Sequence, residues 1–187
     1  MRRVQDLIKK IQTEAAERLT LAPGREASQE LPRFRSFLKQ ATHRLKLAHQ
    51  NDRGGLEVCQ LRAVVIDCVV RALWNVAYNN LSQSAKNSFP PIALVALGGY
   101  GRGELNPLSD IDLLFLQEGQ VAQGMKPLPI LERMLNGVWL TLFDLGLKPG
   151  HAVRSVSECV DAASDRNDAR RIETRTSLIE ARLIAGD

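Results

Sequence analysis

Cysteine is sparse here. The 187 residues hold three, Cys59, Cys68 and Cys159, with no Cys-x-x-Cys pair and no Cys/His cluster. That scatter excludes a disulfide framework and a structural zinc site. Cys59 and Cys68 fall in apolar helical patterns, where a free thiol acts as a small hydrophobe. No apolar run approaches the ~20 residues of a membrane span. The start, MRRVQDLIKK, is too broken by charge for a signal peptide. These absences set the expectation of a soluble cytoplasmic protein without membrane attachment. Internal repeats and low-complexity segments are missing as well. The formal net charge of +4 is modest; it suits attraction of a nucleotide or an acidic partner and specifies neither.

What is present reads as an α+β chain. Residues 1–50 are basic, with eleven Lys or Arg against five Asp or Glu. Val4, Leu7, Ile8 and Ile11 recur at helical spacing, turn residues follow at Leu21 to Gly24, and Phe34, Phe37, Leu38 and Leu45 mark a second helix. A solvated helix surface explains the basic face better than nucleic-acid binding, because Phe34 and Phe37 belong to the apolar stripe and offer no stacking platform. Gly54-Gly55 marks a break, which gives an expected division into a helical extension over 1–54 and a main domain over 55–187. Leu56 to Asn79 predicts a long helix whose valines require burial to stay helical. Gln117 to Gln123 reads as a polar loop, and Pro129 to Leu145 as a further helix closed by Gly146. Leu147 to Val153 reads as a third strand. Ser155-x-x-Glu158 has the form of a capping box opening another helix. The tail carries Ile172, Leu178, Ile179 and Leu183 in an apolar-periodic pattern without a closing signal, so the natural chain is expected to continue.

The stretch Ile92–Leu116, IALVALGGYGRGELNPLSDIDLLFL, organises the rest. An apolar run ends at Gly98-Gly99, a polar loop follows, and a second apolar run begins with Asp110 and Asp112. Strand side chains alternate, so two acids two residues apart share a face about 6.5–7 Å apart. Like charges at that spacing repel unless a divalent cation lies between them. The loop is not a Walker A motif, because Gly103 is followed by Glu104-Leu105. It is not the dinucleotide fingerprint either, which would need a glycine at position 104. Gly98 and Gly99 would let backbone N–H groups approach phosphate oxygens, with Ser109 adding a hydroxyl donor. Arg102 would either pair with a phosphate or brace the loop through Glu104. Asp110 and Asp112 are the candidate metal ligands.

GGYGRGELNPLSDIDLLFL resembles the signature of the nucleotidyltransferase superfamily that includes DNA polymerase β. More narrowly it resembles the N-terminal catalytic domain of the bacterial PII uridylyltransferases, and RALWN, LKPGHAVRSVSECV and LIEARLIAGD extend the likeness. The resemblance implies a small mixed sheet flanked by helices, with Gly98 and Gly99 on the nucleotide phosphates and Mg²⁺ on Asp110 and Asp112. It implies transfer of UMP from UTP to a tyrosine of the PII signalling protein, with glutamine as effector through domains outside these residues. A relative that adenylylates glutamine synthetase and a non-catalytic nucleotide-binding module stand as alternatives. The superfamily often has a third carboxylate on a later strand. Here His151 is the notable polar residue of Leu147–Val153, flanked at a distance by Asp144 and Glu158. The resemblance also implies a phosphohydrolase part with a His-Asp dipeptide, and these residues contain none.

Overall fold

The apolar-periodic segments and the two central runs resolve into helices and strands in a computed structural model that describes residues 2–51, 54–118, 129–165 and 171–187. In chain order these are α1 (Arg2–Leu19), α2 (Leu31–Gln50), α3 (Gly55–Asn79), a short α4 (Gln83–Asn87) and β1 (Ile92–Ala96). Then come α5 (Gly98–Gly101), β2 (Ile111–Gln117), α6 (Pro129–Asp144), β3 (Pro149–Ser155), α7 (Val156–Ser164), α8 (Arg171–Ile179) and β4 (Arg182–Gly186). The polar loop read after β2 lies, from residue 119 on, outside the described residues.

The sheet has the order β3-β2-β1-β4 and is mixed. β1 runs antiparallel to β2 and to β4, whereas β2 and β3 are parallel, with Asp112 beside Gly150 and Leu114 beside Ala152. Strand alternation gives the sheet two unlike faces. Ile92, Leu94, Ala96, Ile111, Leu113 and Phe115 point to one face and pack against α3 and α6 in the main core. α1 and α2 add Leu19, Phe34, Phe37 and Leu45 to the same core from beyond α3. The valine-rich α3 is thus covered on both sides, as its composition required. The opposite face carries a small core of Ala93, Val95, Leu114 and Cys159, and α7 and α8 cover it only in part.

Local signals behave as the sequence predicts at several ends. The Ser155 hydroxyl accepts from Glu158 N–H while the Glu158 carboxylate accepts from Ser155 N–H, which opens α7 with a capping box. Gly146, at φ +78°, follows the end of α6. The third strand is shifted from the expected 147–153: β3 starts at Pro149, whose missing N–H is tolerated at a first position, and runs on to Ser155. The tail departs from expectation. α8 closes at Glu180 and Ala181, whose N–H groups donate to Thr176 and Leu178 carbonyls, and the chain then enters β4. Leu183, counted with the helical pattern, is a strand residue beside Val95. Five residues at a sheet edge are too few to show a period of two. Among the described residues no helix is long and apolar enough to cross a membrane.

Candidate active site

β1 delivers the chain to the site at Leu97, whose N–H donates to the Asp112 carbonyl at 3.0 Å. The expected loop after it is a single helical turn, α5. Gly98 enters that turn at φ +56°, a left-handed conformation that side chains rarely adopt. The turn closes through Gly101 N–H to Leu97 and Arg102 N–H to Gly98. The N–H groups of Gly98, Gly99 and Tyr100 stand at its open N-terminal end, where no preceding turn can accept from them.

Asp112 is the second residue of β2 and points away from the main core, exposed. Its carboxylate spans two glycines. One oxygen lies 3.6 Å from the place a Gly98 Cβ would take, and the other 2.7 Å from the place a Gly150 Cβ would take. A side chain at 150 would collide with that oxygen, so glycine there leaves room for the carboxylate to lie toward β3. Partial burial, and then the charge of Asp110, hold the Asp112 carboxyl above its ordinary range. Asp110 sits immediately before β2, exposed. A carboxylate whose ionisation is made costlier by burial and by a neighbouring acid fits a divalent cation, which would remove that cost. Among the described residues no cluster of three or more His, Cys, Asp or Glu side chains is arranged for a metal. A cation here would therefore rely on Asp110 and Asp112 together with oxygens of its ligand.

The loop between α5 and β2 is anchored rather than free. Leu105 is buried and its N–H donates to the Cys59 carbonyl of α3. Ser109 is exposed one residue before Asp110, its N–H donating to Asn106. Arg102 reaches the Glu180 carboxylate at 2.5 Å and that of Glu104 at 3.5 Å. Arg102 thus pairs with both acids, Glu180 being the closer.

On β3 the positions that share a face with Asp112 are Gly150, Ala152 and Arg154, and none is an acid. His151 lies on the other face, against Trp139 with ring centroids 4.8 Å apart. The Glu158 carboxylate is committed to the cap of α7. Asp144 ends α6, and its carbonyl accepts from Arg35.

Periodicity hid one further pair. Asp67 of α3 is 7% exposed and is met by Arg182 of β4, Nη1 to Oδ2 at 2.8 Å and Nη2 to Oδ1 at 3.1 Å. The same guanidinium donates to the Gly101 carbonyl at 3.1 Å and the Tyr100 carbonyl at 3.0 Å. It thus ties α3, β4 and the α5 turn together. Burial, with the Asp67 charge nearby, pushes the Tyr100 phenol far above its ordinary range. The signal in the sequence was a lone Asp among apolar residues of α3, but its partner lies 115 residues away.

The glutamate-ammonia ligase adenylyltransferase family model matches residues 3–127. A bifunctional uridylyltransferase/uridylyl-removing enzyme of Caulobacter vibrioides (strain NA1000 / CB15N) is 36% identical over 169 residues, 88% of this chain and 17% of that protein. Proteins of the same description from Phenylobacterium zucineum and Rhodopseudomonas palustris are 39% and 40% identical over 74% and 73% of the chain. The chain spans about one sixth of the length of the Caulobacter relative. The α5 turn and the Asp110–Asp112 pair lie within the residues that the family model matches.

Proposed function

The chain belongs to the glutamate-ammonia ligase adenylyltransferase family and has its nucleotidyltransferase fold, and on that premise we propose that it transfers UMP from UTP to a tyrosine of a PII-type nitrogen-regulatory protein, releasing pyrophosphate. The observation that carries this reading is the Asp112 carboxylate set between Gly98 and Gly150, with Asp110 beside it and the open end of the α5 turn adjoining. The choice of UMP is supported by the names of the relatives, uridylyltransferase/uridylyl-removing enzymes, and the choice of a protein acceptor by the family's description, in which a ligase is adenylylated. A cytoplasmic location goes with this reading, since both substrates are found there.

Each part of the site has a task in such a transfer. The N–H groups of Gly98, Gly99 and Tyr100 hold phosphate oxygens of the donor. The Ser109 hydroxyl lies at the lip of the site and donates to a phosphate from there. Asp110 and Asp112 would hold Mg²⁺, which when bound neutralises charge on the phosphates and lowers the pKa of the attacking hydroxyl. Arg102, held by Glu180 and Glu104, and Arg182, held by Asp67, keep the α5 turn in place while the tyrosine oxygen bonds to the α-phosphorus. The bond from that phosphorus to the bridging oxygen breaks in line, the tyrosine proton passes to solvent, and the pyrophosphate leaves with the electron pair of the broken bond.

A second reading, adenylyl transfer to glutamine synthetase, is favoured by one observation, the family match over residues 3–127. Transfer of label from each of the four α-³²P nucleoside triphosphates to purified PII protein and to glutamine synthetase separates the two. Labelling of PII from UTP is the expected outcome. Labelling of glutamine synthetase from ATP would replace it with the second reading, and no labelling from any nucleotide, by this chain or by the full-length gene product, would remove both.

A further inference from the structure

The sheet face that carries Asp112 also carries a cavity of about 280 Å³, lined by Leu97, Leu114, Ala152, Arg154, Cys159 and the α8 residues Glu173, Thr174, Ser177 and Leu178. It begins where the site ends. Leu97 precedes Gly98, and Leu114 and Ala152 are the next residues beyond Asp112 and Gly150 on the same face, a step of about 6.6 Å along the strands. Arg154 lies one further step along β3.

The cavity's floor is apolar and its rim polar. Leu114 and Cys159 are buried in the small core, and burial pushes the Cys159 thiol above its ordinary range although the Arg154 charge nearby acts the other way. The thiol is therefore a neutral wall, not a nucleophile. Arg154 offers only donors. The Ser177 hydroxyl donates to the Glu173 carbonyl at 2.9 Å, which leaves its lone pairs facing outward as acceptors. Glu173 adds a carboxylate acceptor. An apolar lining edged by a guanidinium with several donors and by acceptors on α8 complements a heterocycle that carries both carbonyl and N–H groups. The volume lies at or below the range of pockets that enclose a whole drug-sized ligand, so it suits a base and part of its sugar, with the phosphates left outside.

We propose that this cavity seats the nucleoside end of the donor nucleotide, a one-ring base read by Arg154 from β3 and by Glu173 and Ser177 from α8. The proposal rests on the nucleotidyl-transfer reading and adds to it the place where the donor is chosen. It puts the triphosphate at the α5 turn and the base two strand steps away, across Asp112.

Titration calorimetry of this chain with UTP and, separately, with inorganic tripolyphosphate tests it, Mg²⁺ being present in both. Arg154→Met should weaken UTP about tenfold or more, the loss of a charge-assisted hydrogen bond, and leave tripolyphosphate unchanged. Ala152→Leu fills the cavity without changing charge and should have the same selective effect. An equal loss for both ligands in Arg154→Met would make Arg154 a phosphate contact and overturn the assignment. Unchanged UTP affinity in both variants, at unchanged melting temperature, would overturn it as well. Wild-type chain that binds tripolyphosphate as tightly as UTP would leave the phosphate turn standing and remove the nucleoside seat. Wild-type chain that binds neither would remove the nucleotidyl-transfer reading itself.

Discussion

The two faces of the sheet are built from the same strands and do different work. The face toward α3 and α6 is continuous with a core that extends through α3 to α1 and α2. The other face has three buried strand residues, Ala93, Val95 and Leu114, a partial cover that adds Cys159, and two acids at its end. Several of its large apolar side chains stay exposed, among them Val160 at 57% and Leu183 at 56%. The strands alternate between these environments residue by residue, so Asp112 is solvent-facing between buried Ile111 and Leu113. Stability is thus concentrated on one side, and the other is left free to hold charge that a core would not tolerate.

Five single substitutions and one double probe that division and its surroundings. The largest effect is expected for Asp112→Asn, which should lower nucleotidyl transfer by ~10³-fold or more, about 4 kcal/mol of transition-state stabilisation. Its thermal melting should stay within a degree or two of wild type; a collapse in melting would mean that the acid-bearing face supports the fold after all. Next comes Phe115→Ala on the closed face, expected to cost about 3–5 kcal/mol in urea unfolding. Val160→Ala on the open face should cost less than about 1 kcal/mol by the same measurement, and equal losses would break the comparison. Third is Asp67→Ala, which strands the Arg182 guanidinium. About 2–3 kcal/mol is expected, below the figure for a fully enclosed pair because the Arg182 side chain remains 32% exposed. Asp67→Leu combined with Arg182→Met should recover much of the stability while transfer stays impaired, since the carbonyls of Tyr100 and Gly101 lose their donor. The smallest effect belongs to Glu14→Gln, far from both faces. Hydrogen bonds from Arg44 and Arg18 hold the Glu14 carboxyl below its ordinary range. Its contribution is then full above the ordinary glutamate value of about 4.3 and is lost as the pH falls through the lower folded-state value. The variant should be less stable by under about 1 kcal/mol at pH 7 and equal to wild type in strong acid.

Much of this was legible in the residues because it is local. The extents of α3 and α6, the cap of α7 and the two central strands follow from periodicity and end signals, each within one segment. The Gly98-Gly99 and Asp110-x-Asp112 pairs were legible for the same reason, as steric and electrostatic facts about neighbours in sequence. What escaped was set by distant partners. β4 is a strand because β1 offers an edge, Asp67 is buried because Arg182 arrives, and Arg102 is paired because Glu180 lies within reach. In sequence Gly150 reads only as part of the third strand. Only the register of β3 on β2 reveals that it makes room for Asp112.

The clamp that Arg182 places on the α5 turn also orders events in time. Synthesis runs from the N-terminus, so the glycine turn leaves the ribosome some eighty residues before the guanidinium that fastens it. Most of the closed face can assemble around α3 in that interval, whereas the turn must wait for β4. Nascent chains halted before residue 182 should therefore carry most of the closed face's core, lacking Ile184, and an unfastened α5 turn, so that the turn is fixed only after the core beneath it.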